Sequence, residues 1–188
     1  MNSTLYHHNA RGFTMIELMI TMVIGMVILA GAVSLFVNNT RLATTLADRT
    51  ERLGDLYTAS HIIQTELRSA QGNLTSVVNA GPVTTVTYTP IDSICTGFFE
   101  YRQYPNSVPP YYEIRWKRPI SVTTGLCNNG FAQQLIRDLD PVNGMVVTPL
   151  GVNPYTASFL NIDLYSLYTD PDKNLKTVSL SFKIWSRN

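Results

Sequence analysis

The sequence predicts an α+β fold in which one long N-terminal helix packs on a mostly antiparallel β-sheet head. Three features carry that prediction: an almost uncharged apolar run from Phe13 to Val37, a one-sided apolar stripe from Leu42 to Ala70, and a period of two between turn signals from Val83 onward.

The apolar run reads FTMIELMITMVIGMVILAGAVSLFV, and Glu17 is its only charged residue. As a helix, Leu18 to Val37 extends about 30 Å, the thickness of a bilayer's hydrocarbon core. The segment is therefore long enough to span a membrane. Before it stands MNSTLYHHNARG, whose one fixed positive charge is Arg11. By the positive-inside rule that end stays cytoplasmic and the remainder lies outside. A secretory signal cut after Ala30-Gly31-Ala32, giving a start at Val33, and a plain signal anchor are the two ordinary readings of such a run. Glu17 argues against the first, because an acid in an inserted helix costs about 2.5 to 3.5 kcal/mol near the centre and less toward the end. A compensating cation is called for.

Past the apolar run, Leu42, Leu46, Leu53, Leu56, Ile63, Leu67 and Ala70 recur at helical spacing, with Arg49, Glu51, Arg52 and Asp55 largely off the stripe. Asp48 and Arg52 stand four apart in the favourable acid-first order. Gly72 and Asn73 read as the helix end. Gly25 and Gly31 are the weak points of the stem, each costing about 1 kcal/mol against Ala.

The strands expected are VTTVTYT, GFFEYRQY, YYEIRWKR, ASFLNIDLYSLY and KTVSLSFKIW, rich in β-branched and aromatic residues. In YYEIRWK, alternation sends Tyr112, Ile114 and Trp116 inward and Glu113, Arg115 and Lys117 outward. Val178, Leu180, Phe182 and Ile184 alternate in the same way against Ser179, Ser181 and Lys183. Pro105, Pro109, Pro110, Pro119, Pro141, Pro149, Pro154 and Pro171 punctuate the gaps, and the stretch from Phe131 to Asp140 fits a short helix or a strand.

At 188 residues and a net charge of +1, the chain has room for one domain plus an appendage and no field that would favour a polyanion. There is no strong nucleic-acid signal. Cys95 and Cys127 are the only cysteines, both on the exported side, and read as one disulfide. Closing that loop is worth about 3.5 to 4 kcal/mol by chain entropy. Two separate buried thiols are the alternative, and the lack of a nearby His pair argues against zinc.

The run RGFTMIELMITMVIGMVILAG resembles the processing site of type IV prepilins and type II secretion pseudopilins: a basic residue, a Gly, a Phe, an apolar stretch and a Glu four residues after the Phe. The resemblance implies cleavage between Gly12 and Phe13 by a membrane-embedded prepilin peptidase, followed by methylation of the new Phe13 amine. It also implies that Glu17 pairs with the N-terminal amine of a neighbouring subunit during assembly. The chemistry agrees, since cleavage creates a cation about one helical turn from the Glu17 carboxylate. Four parts follow: a cleaved leader (1–12), a membrane and filament-core helix (13–37), an amphipathic half (38–72) and a β-rich head (73–188).

The segment ERLGDLYTASHIIQTELRSAQG, with Glu66, Leu67 and Arg68 near its end, is similar to PilW-type minor pilins and to the J pseudopilin of type II secretion. A minor pilin that primes assembly or sits at a filament tip is the function this implies. Its partners would be other minor and major pilins, the peptidase and the inner membrane, with a periplasmic head that is later carried to the cell surface. The J pseudopilin is the alternative within the family. A membrane-tethered adhesin or DNA receptor is the alternative of another class.

Other chemistry is sparse. Asp170, Asp172 and Asn174 alternate oxygen ligands as a calcium loop begins, yet Leu175 replaces the expected Gly and no closing Glu follows. A polar turn is the better reading. Tyr104, Tyr111, Tyr112, Arg115, Trp116, Lys117 and Arg118 could stack on a glycan or single-stranded nucleic acid, although alternation buries half of them. His7 and His8 fall in the leader and His61 stands alone, so neither an enzyme nor a cofactor is expected.

Overall fold

The computed structural model describes residues 13–70, 74–80, 83–90, 94–104, 108, 110–118, 120–121, 127–128, 131–149 and 159–185. It divides into two compact units, Met1–Thr44 and Thr45–Asn188, and helix α1 (Met15–Ser69) contributes to both. Arg11, Gly12, Gly72, Asn73, Pro105, Pro109, Pro119 and Pro154 lie outside the described residues.

In the first unit every described residue, from 13 to 44, is exposed, including Ile16, Met19, Val27, Leu35 and Phe36. A helix apolar on all sides and covered on none needs lipid or other helices around it. Two of its hydroxyls bond within the helix: Thr21 and Thr40 donate to the Leu18 and Phe36 carbonyls at 2.9 Å each. The helix continues through Gly25 and Gly31 without interruption.

In the second unit the helix becomes one-sided. Leu56, Ala59, Ile63, Leu67 and Ala70 are buried, whereas Leu42 in the first unit and Leu46 in the second remain about half exposed. The expected stripe therefore enters the core only from Leu53 onward. Arg52, expected off the stripe, turns toward the head instead and binds there.

Five strands form an antiparallel sheet in the order β1 (Leu74–Ala80), β2 (Val83–Tyr88), β3 (Gly97–Gln103), β4 (Tyr112–Lys117) and β7 (Gln133–Arg137). A second antiparallel sheet has the order β10 (Leu175–Trp185), β9 (Phe159–Thr169) and β8 (Met145–Pro149). The short strands β5 (Ile120–Ser121) and β6 (Cys127–Asn128) pair with each other. All five expected strands are present, and the ambiguous stretch after Phe131 is strand β7. β1 carries no alternation, since Val77 and Val78 are adjacent between Ser76 and Asn79, and β8 was hidden by Pro149. That proline ends a strand rather than separating two, which an edge strand tolerates because one side of it needs no N–H donor.

The core joins the buried helix face to Val86, Tyr88, Phe99, Tyr101 and Ile114 of the first sheet and to Met145, Leu160, Ile162, Leu164 and Ile184 of the second. Tyr88, Phe99 and Trp116 stack across three strands, with centroids 5.5 and 6.2 Å apart. Trp116 Nε1 donates to the Tyr88 hydroxyl at 3.0 Å, and that hydroxyl donates to Glu66 Oε2 at 3.1 Å. Arg118 reaches Glu66 Oε1 at 3.3 Å. The Glu66-Leu67-Arg68 run therefore has a physical reason: Glu66 pins the helix to the sheet, Leu67 is buried beside it, and Arg68 binds Gln64 on the helix surface.

One residue keeps its expected face but not its expected exposure. Glu113, expected in solvent, is only 1% exposed. It lies on the face opposite Ile114, where Arg102 on β3 and Arg115 on its own strand close over it at 3.7 and 3.8 Å. Glu100 pairs with Arg102 at 3.5 Å in the same cluster. Alternation identifies the two faces of a strand, but it does not reveal that long arginine stems cover the polar one.

Segment 138–144 stitches the two sheets together. The Leu139 N–H donates to the Tyr112 carbonyl at 3.2 Å, on the first sheet, and the Asp140 N–H to the Tyr165 carbonyl at 3.0 Å, on the second. Buried Ser166 donates to the Asp138 carbonyl at 3.2 Å. The Tyr101 hydroxyl donates to the Asp140 carbonyl at 2.6 Å, and the Tyr101 ring packs so closely on Gly144 that a side chain there has no room.

Candidate functional site

At the N-terminus, Phe13 and Thr14 precede the first helical turn. The Glu17 N–H donates to Thr14 Oγ1 at 3.3 Å and to the Thr14 carbonyl at 3.1 Å, and the Leu18 N–H donates to the same carbonyl at 3.2 Å. Thr14 is therefore the helix N-cap and Glu17 the third helical residue. An acid in the first turn also faces the positive end of the helix dipole. Thr14 had no assigned role in the sequence reading, though Thr followed three residues later by Glu is a capping-box pattern that marks it. Phe13 lies outside the helix and is 81% exposed.

Residues 7–33 match the family model of the prokaryotic N-terminal methylation motif. The chain carries a type IV prepilin-like N-terminus. No curated protein and no solved structure matches the chain. The motif and the exposed apolar stem support membrane anchoring through a prepilin-like N-terminus, and the architecture is α+β and pilin-like. The motif ends at residue 33, within the stem, so the head must be read from its own geometry.

The head contains a cleft of about 650 Å³ between its stretch of helix and both sheets. Asp48 and Arg52 come from the helix, Pro110, Tyr111 and Tyr112 from the start of β4, and Asp138, Leu139 and Pro141 from the stitching segment. Leu167, Tyr168, Thr169 and Leu175 come from the β9–β10 hairpin. Arg52 is the clasp at its floor. Its Nη1 meets Asp138 Oδ2 at 3.0 Å and its Nε meets Asp48 Oδ1 at 3.4 Å, while Asp48 Oδ2 accepts the Thr169 N–H at 3.2 Å. The Asp48–Arg52 spacing was legible in the sequence, whereas Asp138, a distant residue held at φ 59°, was not.

The aromatic and basic cluster of the sequence disperses in space. Tyr111 and Tyr112 line the cleft, and Tyr104 stacks on Tyr111 at 4.8 Å. Trp116 enters the core stack, Arg118 binds Glu66, Arg115 donates to the Ala132 carbonyl at 2.6 Å, and Lys117 sits over the Phe98 ring. Asp170, Asp172 and Asn174 form the β9–β10 turn. Asp170 Oδ1 accepts the N–H groups of Asp172 and Asn174 at 3.0 and 2.8 Å, and Lys176 lies 3.7 Å from Oδ2. These backbone donors, that of Asn174 foremost, hold the Asp170 carboxyl below its usual range. The carboxylate closes a turn, and no cluster of three or more metal-ligating side chains occurs among the described residues. Cys95 and Cys127 are joined in a disulfide with their Cα atoms 5.4 Å apart, and His61 is exposed on the helix.

Proposed function

We propose that this prepilin-type chain is a minor pilin of the PilW type, a structural subunit rather than an enzyme, which primes assembly of a type IV pilus or sits in its tip complex. The methylation motif at residues 7–33 carries the reading. In it, a prepilin peptidase cuts between Gly12 and Phe13, and the methylated Phe13 amine is the cation that makes Glu17 tolerable within an apolar stem. Glu17 of an arriving subunit pairs with the amine of its predecessor, which sets the register of assembly. Before assembly the stem crosses the inner membrane once, through about residues 13–37, with residues 38–72 and the head on the periplasmic side.

The Glu66-Leu67-Arg68 run resembles PilW-type minor pilins and the J pseudopilin of type II secretion alike, so the J pseudopilin is the second reading. Complementation of a pilus-defective and a secretion-defective strain separates the two. Mass spectrometry of the mature N-terminus tests the common part. A chain that begins at methylated Phe13 is expected, and one that begins at Val33 overturns it. Glu17→Ala is expected to leave processing intact and to reduce incorporation into filaments at least tenfold. Normal incorporation would sink the assembly role. A chain that is processed but never enters a filament would instead be a membrane-tethered receptor.

A further inference from the structure

The end of the head that leads into the stem carries exposed apolar side chains on three connections between strands. Leu167, whose N–H donates to the Asp138 carbonyl at 3.0 Å, stands level with Arg52, which binds Asp138, and two residues on Thr169 meets Asp48. Strand β9 therefore descends along the helix toward its stem end, and the turn after it projects about two residues, roughly 7 Å, beyond Thr169. The β3–β4 connection leaves at the same end, since Tyr111 and Tyr112 line the cleft with Arg52 while Trp116 shares the Tyr88 hydroxyl with Glu66, farther along the helix. Segment 138–144 is the third connection, with Asp138 on Arg52. On or beside these connections Leu175 is 69% exposed, Val142 78% and Val108 96%, and Tyr104 stacks on Tyr111. The four charges of the β9–β10 turn, those of Asp170, Asp172, Lys173 and Lys176, cancel. Apolar tips flanked by tyrosines and carrying no net charge suit the boundary between lipid headgroups and acyl chains.

We propose that, before assembly, the head rests these tips on the lipid of the membrane that its stem crosses, with Leu175, Val142 and Val108 among the headgroups. The proposal rests on the membrane-anchored reading above, and the length of chain between stem and head supplies the reach. Val37 ends the apolar run, and the helix rises about 16 Å from there to Asp48. The β9–β10 turn covers about 7 Å of that height, and the headgroup layer about 5 to 7 Å more. Tilt of the stem closes the few ångströms left. Met15 to Val37 rises about 34 Å as helix, more than the hydrocarbon thickness of about 30 Å, and a span that is too long tilts. Entry into a filament then requires the tips to leave the lipid. Because the turn is neutral, the contact depends on its apolar groups and not on anionic lipid.

The test reconstitutes the full-length chain into phosphatidylcholine vesicles with one bimane label, carried by Val142→Cys, Leu175→Cys, His61→Cys or Val27→Cys, and leaves the Cys95–Cys127 disulfide oxidised. Quenching is read with nitroxides placed on the lipid headgroup or midway along the acyl chain. Headgroup nitroxide is expected to quench the labels at positions 142 and 175 at least twofold and to leave the label at position 61, exposed on the helix farther from the stem, unchanged. Adding Leu175→Asp to the chain labelled at position 142 is expected to remove at least half of its quenching, with the circular dichroism of the chain unaltered. Labels at 142 and 175 that behave like the one at 61, or that are quenched only when phosphatidylglycerol is added, overturn the proposal. The label at position 27 keeps the two failures apart. If acyl-chain nitroxide does not quench it, the membrane-anchored reading falls and this proposal with it; if it is quenched and the tips are not, only the resting head falls.

Discussion

Gly144 shows how tightly the head is specified at single positions. A Cβ there would collide with the Tyr101 ring and stand 2.7 Å from the Asp140 carbonyl oxygen and 2.9 Å from Leu139 Cβ, none of which is the free end of a flexible side chain. Gly144→Ala is therefore expected to cost about 1 to 3 kcal/mol, read from the urea midpoint, and an unchanged midpoint would refute the packing described. Tyr101 supplies a pH-dependent counterpart. Burial, more than anything else around it, pushes its hydroxyl from 10.0 up to about 12. The unfolded chain ionises first, so this contribution to stability is complete below pH 10 and is lost as pH rises toward about 12. Tyr88 is shifted in the same direction, also chiefly by burial. Tyr101→Phe is expected to cost about 1 kcal/mol at neutral pH and to flatten part of the alkaline fall in stability. A slope unchanged above pH 10 would mean that Tyr101 does not carry it.

At the scale of elements, the helix and the last hairpin make separable predictions. Ile63 is fully buried and Leu46 half exposed on one continuous helix. Ile63→Ala is expected to destabilise the isolated subunit by about 2 to 5 kcal/mol, and Leu46→Ala by less than about 0.5 kcal/mol. Comparable losses in thermal denaturation would show that the head begins earlier along the helix than described here. The β9–β10 turn pairs the Lys173 N–H with the Asp170 carbonyl at 3.0 Å and the Asp170 N–H with the Asn174 carbonyl at 2.9 Å, with Lys173 at φ 63°. That is a type I turn closed by a residue in the left-handed region, a position that suits glycine. Lys173→Gly is expected to stabilise the head by about 0.5 to 1 kcal/mol, and a loss in the same assay would contradict the turn geometry.

For the molecule as a whole, the disulfide is the long-range tie. Cys95 and Cys127, 32 residues apart, fasten the β5–β6 pair to the chain just before β3. The double variant Cys95→Ser/Cys127→Ser is expected to lose about 2 to 4 kcal/mol without altering the stem. Circular dichroism should retain the helix while the head melts earlier, and equal melting of wild type and variant would remove the disulfide from the stability of the head.

What the sequence determined by itself was everything with a local cause. The apolar stem and its single acid follow from transfer energies, and the methylation motif from one short run of residues. Strands β2, β3, β4, β9 and β10 follow from alternation strong enough to need no tertiary information. Tertiary structure decided what depends on neighbours distant in the chain: the burial of Glu113 beneath Arg102 and Arg115, the grip of Arg52 on Asp138, and the exposure of Leu46 on the apolar stripe. It also decided strands β1 and β8, whose own residues barely alternate and which take their form from the partners they pair with. The physical reason is range. Hydrophobic period and helix capping act within a few residues, whereas ion pairs and strand pairing between distant segments exist only once the chain has brought those segments together.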